Sequence, residues 1–326
     1  MKILVTGGAG YIGSVVAETL INTGYEVIVV DNFFGDEKSP INPKIKLIKG
    51  DIGDLEILRR IFEENDIDAV MHLAAFIEVE ESMRLPQKYF ENNYEKPLRL
   101  LEAMRKARTK LLIFSSTAAV YGIPNSSPIK ETDLTNPINP YGESKLKFEK
   151  ALFDEQQKYG LKYVALRYFN AAGATPEHGV MGSHQTHLIS VAMQVATGER
   201  DSIKLYGNDY PTKDGTCIRD YVHVQDIASA HLVVLNFLKT QTSPEANKFT
   251  DNVYNVGSGQ GYSNKEVLDE IQKISGKKLN IVLAERRLGD PPALLADISK
   301  ISELGWEAEH SGLINIIKTA WGWKKG

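Results

Sequence analysis

Apolar residues along the first half of the chain arrive in two alternating rhythms. Short β-branched runs at 2–6, 26–30, 45–48, 69–73, 111–115 and 163–166 carry few polar side chains, as expected of strands covered on both faces. Between them lie stretches near 14–23, 54–65, 87–107 and 142–159 whose apolar residues recur every three or four positions. That is the spacing of a helix with one buried face. The alternation predicts an α/β fold built on a parallel, doubly wound sheet. After about residue 168 the rhythm breaks. Gly, Pro, His and Asn crowd into 170–186 and 207–215, and shorter helical patterns follow near 188–197, 225–239, 263–275 and 311–323. This predicts a sheet domain over 1–168 and a smaller α/β lobe over 169–326, with segments near 225–256 returning to the first. The 240–249 stretch reads as an exposed loop.

Composition narrows the function classes. The 326 residues are 42% hydrophobic and 25% charged, with 38 basic against 42 acidic residues, the balance of an ordinary folded protein. No long block of like charge marks a nucleic-acid footprint or a basic membrane-binding face. No apolar run reaches the roughly 18 residues of a membrane span. A lone Cys217 cannot staple a secreted fold, and the chain reaches Gly7 before a signal-peptide core can form. A cytoplasmic protein is expected. His178, His184 and His187 cluster without HExxH or paired-carboxylate spacing, so no metal site is expected. His72 and His223 read as core or site-wall residues, and Trp306, Trp321 and Trp323 as core.

Chemistry enters where the first strand ends. The run Thr6-Gly7-Gly8-Ala9-Gly10-Tyr11-Ile12-Gly13 puts glycines 7, 10 and 13 on the turn into the first helix. There the missing Cβ atoms let backbone N–H groups and the helix dipole approach a pyrophosphate. The second strand ends at Asp31-Asn32, and Asp31 stands 18 positions after Gly13. A carboxylate there accepts the adenosine ribose hydroxyls. It also repels the extra phosphate of NADP, since no basic residue follows until Lys38. NAD is the expected cofactor, with Asp51 and Ile52 framing the adenine.

Ser115-Ser116-Thr117 follows the fifth strand, and Tyr141-x-x-x-Lys145 opens a helical stretch behind Asn139-Pro140, a suitable helix entry. Tyr-x-x-x-Lys alone is uninformative, since about one is expected by chance at this composition. With the glycine turn, however, these residues resemble the extended short-chain dehydrogenase/reductase family, which has a Rossmann-like fold. Residues i and i+4 share a helix face, so Lys145 is expected to reach under the Tyr141 ring. There it and the nicotinamide cation would draw the phenol down from its usual pKa of about 10. Tyr141 then becomes a general base for a sugar hydroxyl. Thr117 is expected to hydrogen-bond that hydroxyl, with Ser116 a lesser bearer of the role.

The second half is more specific. Residues 166–174 (Leu-Arg-Tyr-Phe-Asn-Ala-Ala-Gly-Ala), the block 207–224, Arg286-Arg287-Leu288-Gly289-Asp290-Pro291 and Glu303-Leu304-Gly305-Trp306 are similar to the UDP-glucose 4-epimerase branch of that family. The resemblance spans essentially the whole chain. It implies an isomerase that inverts C4 of a UDP-hexose through a transient 4-keto sugar, with NAD retained. It also implies roles. Leu73, Ala74, Ala75, Asn92, Ser115 and Phe169 form the cofactor wall. Asn170, His187 and Leu188 contact the UDP-sugar, and Lys204, Leu205 and Tyr206 line the uracil. Arg219 and Arg287, with Asp290 beside them, clamp the diphosphate, for which a planar guanidinium is suited. Pairing of Arg219 with Asp220 is the plainer alternative.

The chain departs from the family pattern at four places. Thr117 stands where Ser is commoner, and His187 where the family has Asn. Ile77 replaces a Lys that touches the cofactor pyrophosphate, so weaker cofactor retention is expected. Leu294, of intermediate bulk, occupies the position associated with accepting N-acetylated sugars. A homodimer through the stretches at 87–107 and 142–159 is implied. A 4-epimerase of another UDP-sugar (N-acetylhexosamine, pentose or uronate) is the nearest alternative, and a non-enzymatic NAD-sensing protein a more distant one. A 4,6-dehydratase would need an acid pair where Ala118-Ala119 stands.

Overall fold

Seven parallel strands make the main sheet of the computed structural model, which describes residues 1–34, 40–181, 186–241, 248–287 and 289–325. Lys38, His184, Leu288 and most of the expected 240–249 loop lie outside the described residues. In chain order the first elements are β1 (Lys2–Thr6), α1 (Tyr11–Asn22), β2 (Glu26–Asp31), β3 (Lys46–Lys49), α2 (Leu55–Glu64) and β4 (Ala69–His72). Two short helices, α3 (Val79–Arg84) and α4 (Pro86–Phe90), precede α5 (Lys96–Lys106), β5 (Leu111–Thr117), α6 (Pro140–Tyr159) and β6 (Lys162–Tyr168).

Alternation along each strand divides the core in two. Ile3 and Val5 of β1 face one cluster with Val15 and Leu20 of α1, while Leu4 faces the other with Leu58, Leu100 and Phe148. Helices therefore cover both faces of the sheet, which is the doubly wound arrangement.

The structure corrects one expected helix. Residues 87–107 do not form a single regular rod: Glu91–Glu95 is a π-helical turn between α4 and α5. The wider turn rotates Asn93 inward, where it is 1% exposed and brackets Phe76. Its Oδ1 accepts the Phe76 amide at 2.9 Å, and its Nδ2 donates to the Phe76 carbonyl at 2.9 Å.

β5 and β6 run past their apolar stretches because their polar ends are paired. Ser116 donates to Glu149, and Arg167 forks onto the same carboxylate at 3.0 and 2.7 Å.

The rest of the chain crosses between layers. β7 (Asn170–Ala172), α7 (Leu188–Thr197), β8 (Ile203–Tyr206) and β9 (Ile218–His223) build a second lobe. α8 (Val224–Thr240) then packs against the sheet core, and β10 (Val253–Val256) joins the main sheet beside β6. Order across that sheet is β10-β6-β5-β4-β1-β2-β3. The second lobe is completed by β11 (Gly261–Ser263), α9 (Asn264–Ser275), β12 (Ile281–Ala284), β13 (Ala293–Leu294) and, after α10 (Ser299–Ser302) has packed Ile301 into the main-sheet core, α11 (Leu313–Lys325). β9 is its hub, pairing with β7, β11 and β13, while β8 and β12 form a separate pair. α7, α9 and α11 share a core of Ile189, Leu268 and Ile317. Among the described residues no helix is long and apolar enough to cross a membrane.

Three histidines lie in this core uncharged. Burial pushes His72 down to about 3, and His223 and His231 each to about 4. In the unfolded chain they take up protons near the ordinary value of about 6.5. Below that pH the unfolded chain binds more protons than the folded one, so stability is complete above it and falls as pH drops. Three such groups give a slope of up to about 4 kcal/mol per pH unit. Glu131, Asp220 and Asp226, raised chiefly by burial, oppose this in more acid solution. The urea midpoint is therefore expected to fall markedly between pH 7 and pH 5. An unchanged midpoint would contradict neutral burial of these histidines.

Candidate active site

The turn leaving β1 closes only because its glycines lack side chains. Gly7 has φ +71°, and a Cβ there would fall 2.6 Å from the Ala74 nitrogen. At Gly13 a Cβ would fall 2.1 Å from the Gly7 carbonyl oxygen. Gly10, by contrast, is exposed and begins α1 with no side-chain cap. The backbone at Tyr11 and Ile12 is thus presented at the positive end of the helix dipole. The Tyr11 hydroxyl donates to the Gly173 carbonyl at 2.7 Å, tying this turn to the second lobe.

Asp31 ends β2 with each carboxylate oxygen accepting one amide, from Ala9 at 2.9 Å and from Phe33 at 2.8 Å. A carboxylate has about four acceptor positions, so two hydroxyls can still be accommodated. Asn32 donates to Asp51 at 3.0 Å, and Asp51 also receives Lys96 at 2.8 Å and the Gly53 amide at 2.7 Å. Burial alone would raise the Asp51 carboxyl, but Lys96, Gly53 and Asn32 outweigh it and hold it low. Ile52 is buried in the core beneath. A glycine cradle open at Gly10, beside a carboxylate with acceptor positions to spare, fits a dinucleotide.

Leu73 and Ala74 pass directly over β1, their amides bonding the Thr6 carbonyl at 3.1 Å and hydroxyl at 3.3 Å. Ala75 follows on the same segment. Asn92 stands in the π turn and donates to Asn93 at 3.1 Å. Phe169 is buried at the end of β6, its amide bonded to Val256 at 3.0 Å.

The expected catalytic pair, Tyr141 and Lys145, is set by a close approach of α6 to the turn after β5. Asn139 caps α6 by accepting the Gly142 amide at 2.8 Å. A Cβ on Gly142 would lie 2.6 Å from the Ala119 carbonyl oxygen, so glycine is what lets α6 press against the turn after β5. Tyr141 is thereby placed near Thr117, whose hydroxyl works against the rise that burial imposes on the phenol. Ser116, buried and bonded to Glu149, faces away from that role.

Lys145 is anchored to β5. Its Nζ donates to the Ser115 carbonyl at 2.8 Å and lies 4.8 Å from the Phe114 ring centroid. Burial pushes it down to about 7, with Glu149 pulling the other way. In the protein alone, burial raises Tyr141 above its usual range, Thr117 lowers it and Glu78 raises it further.

In the second lobe the expected ligand residues gather around β8 and β9. Asn170 donates to the Asp220 carbonyl at 2.9 Å, locking β7 to β9. His187 precedes Leu188 at the start of α7; burial lowers its pKa, Glu78 raises it and Arg287 lowers it. Lys204 is exposed and Tyr206 half-buried, whereas Leu205 packs into the lobe core and offers a ligand only its backbone.

Arg287 lies 4.0 Å over the Tyr206 ring and 3.7 Å from Glu80. Arg219 pairs with Asp290 at 3.2 Å and donates to the Ile218 and Pro291 carbonyls. The alternative partner Asp220 is buried instead, accepting the amides of Ser258, Gly259 and Ala296. Leu294 pairs with Arg219 across β13 and β9.

Two site carboxylates escape a reading of motifs. Glu149 hides in the α6 pattern as an ordinary charged position. Glu78 accepts the Thr186 hydroxyl at 2.7 Å and bears on both Tyr141 and His187. Its only trace in the sequence is an acid following Ile77. Among the described residues no cluster of His, Cys, Asp or Glu is arranged to hold a metal.

The sequence model of the NAD dependent epimerase/dehydratase family matches residues 3–257. The chain belongs to this family. A UDP-glucose 4-epimerase of Lacticaseibacillus casei is 44% identical over 99% of this chain and 96% of its own. A Brucella ovis UDP-glucose 4-epimerase solved with NAD is 42% identical, with TM-score 0.91 over 99% of this chain and 98% of that one. The Bifidobacterium longum enzyme, solved with NAD+ and UDP, is 38% identical, with TM-score 0.90 over 100% and 98%.

Proposed function

We propose that this chain is an NAD-dependent isomerase that interconverts UDP-glucose and UDP-galactose by inverting C4, with no net oxidation. The observation that carries this reading is the packing of Gly142 on the Ala119 carbonyl, which sets Tyr141 near Thr117 at the carboxyl end of β5. It lies in the same chain as a glycine cradle and a lobe bearing Arg219 and Arg287. Gly7, Gly10, Tyr11, Ile12, Gly13, Asp31 and Asn32 would hold NAD at its adenosine and pyrophosphate end. Leu73 to Ala75, Asn92, Ser115, Lys145 and Phe169 would form the wall around its nicotinamide. When bound, NAD supplies a hydride acceptor for C4, its return donor, and a positive charge that favours the Tyr141 phenolate.

The protein's own residues do the rest. Thr117 holds the C4 hydroxyl against Tyr141, which takes its proton as C4 is oxidised. Arg219 and Arg287 retain the diphosphate while the 4-keto sugar turns about it and presents its opposite face. Tyr141 then returns the proton to the oxygen. Lys145, held on the Ser115 carbonyl at 2.8 Å, keeps a cation at the end of β5 as the phenol gains and loses its proton. A cytoplasmic homodimer formed through α4, α5 and α6 completes the proposal, supported by the family resemblance.

Purified protein is expected to convert UDP-glucose into a mixture with UDP-galactose without added reductant, followed by NMR. A folded, NAD-bound sample inactive on both hexoses and on their N-acetyl forms would overturn the reading. A panel including pentose and uronate nucleotides tests the range that Leu294 borders.

A further inference from the structure

β2 and β4 are the two neighbours of β1 in the sheet, so the segments leaving their carboxyl ends run on either side of the glycine turn. These segments meet. Phe34, three residues beyond β2, packs edge-on against Phe76, four beyond β4, with ring centroids 4.7 Å apart and planes at 63°.

Nothing in the core requires this contact, since Phe34 is 65% exposed. It is nevertheless fixed from several directions. The Lys88 ammonium lies 5.0 Å from the Phe34 centroid and 4.5 Å from that of Phe76. Glu81 pins that ammonium at 2.9 Å and accepts the Tyr89 hydroxyl with its other oxygen, also at 2.9 Å. Tyr89 in turn packs on Phe76 at 5.9 Å. The Phe76 backbone is held at both its amide and its carbonyl by Asn93, which the π turn rotates inward. An exposed ring pair with a cation over both faces and a clamped backbone is a built feature.

We propose that Phe34 and Phe76, clamped by Lys88, form an aromatic bracket that closes across the site in front of β1 and retains the dinucleotide. The inference rests on the NAD reading above. For the cofactor to leave, the two rings must part, losing an edge-to-face pair and one of the two rings beneath Lys88. The bracket belongs to the cofactor rather than to the sugar, so its signature is the lifetime of bound NAD.

The test is release of the dinucleotide from the intact protein. Wild type and Phe34→Ala are loaded with NADH and diluted into excess NAD, and loss of bound-NADH fluorescence is timed. Release from Phe34→Ala is expected to be about five- to tenfold faster, with association no slower. Phe34→Tyr, which keeps the ring, should release at nearly the wild-type rate. The exposure of Phe34 leaves the fold of both variants intact, which thermal unfolding verifies. Equal release rates for wild type and Phe34→Ala would overturn the bracket while leaving the cofactor reading standing. A wild-type chain that takes up no NAD would overturn both.

Discussion

Tyr141→Phe is expected to lower turnover of UDP-glucose by about 10³-fold or more, while NAD content and UDP affinity stay within a few-fold of wild type. The substitution removes one oxygen and leaves the ring that packs at the start of α6. The lost oxygen is the proposed base, and no other described group there is free to replace it. Ser116 is bonded to Glu149, and Lys145 to the Ser115 carbonyl. Single-turnover measurements with UDP-galactose would place the loss in proton transfer rather than in binding. Loss of folding, or retained turnover, would instead make Tyr141 a packing residue.

The second large effect is on stability. Glu149 and Arg167 are both fully buried, with Nε and Nη2 of the arginine forked onto the carboxylate at 3.0 and 2.7 Å. Arg167→Met leaves a buried carboxylate whose one remaining hydrogen bond described is from Ser116, and should cost about 3–5 kcal/mol. In a chain of this size that corresponds to a fall in Tm of roughly 6 °C. Glu149→Leu should be similarly damaging, because it strands a guanidinium whose Nη1 already lacks a hydrogen-bond partner. The double variant should recover much of the loss, since a matched apolar pair leaves no charge unpaired. Thermal unfolding of the four proteins decides this; simple additivity of the two single losses would mean that the residues are not a unit.

The same pair shows where the sequence stopped being legible. Apolar runs located all six strands expected for the main sheet; five of them are inner strands covered on both faces, whereas β3 is a largely exposed edge. The runs ended early at β5 and β6, where Ser116 and Arg167 read as loop polarity. Only their meeting on Glu149, 33 and 18 positions away, makes them strand residues. The 87–107 stretch has helical spacing throughout, and one extra residue in a turn leaves almost no mark on a periodicity of 3.6. The short strands of the second lobe, two to six residues each, give too few alternations to register.

At the site, local spacing was informative and charge state was not. Gly7, Gly10 and Gly13, Asp31, and Tyr141 with Lys145 are legible because each pattern is confined to one turn or one strand end. The direction in which Tyr141 titrates depends on burial by both lobes and on Glu78, which no spacing rule connects to it. Arg219 chose Asp290 over its neighbour Asp220 for a similar reason. On a strand, adjacent side chains point to opposite faces, and Asp220 points into the core.

One consequence of Gly142 reaches beyond placing the base. A catalyst that reduces either face of a flat ketone from a single hydride source needs either a mobile acid or a mobile substrate. The helix carrying Tyr141 stands backbone against backbone on the Ala119 carbonyl, with no space for even a methyl group between them. The phenol is therefore a fixed post. The freedom to present two faces must belong to the sugar, tethered by its diphosphate, and inversion at C4 becomes a property of the tether's length and slack.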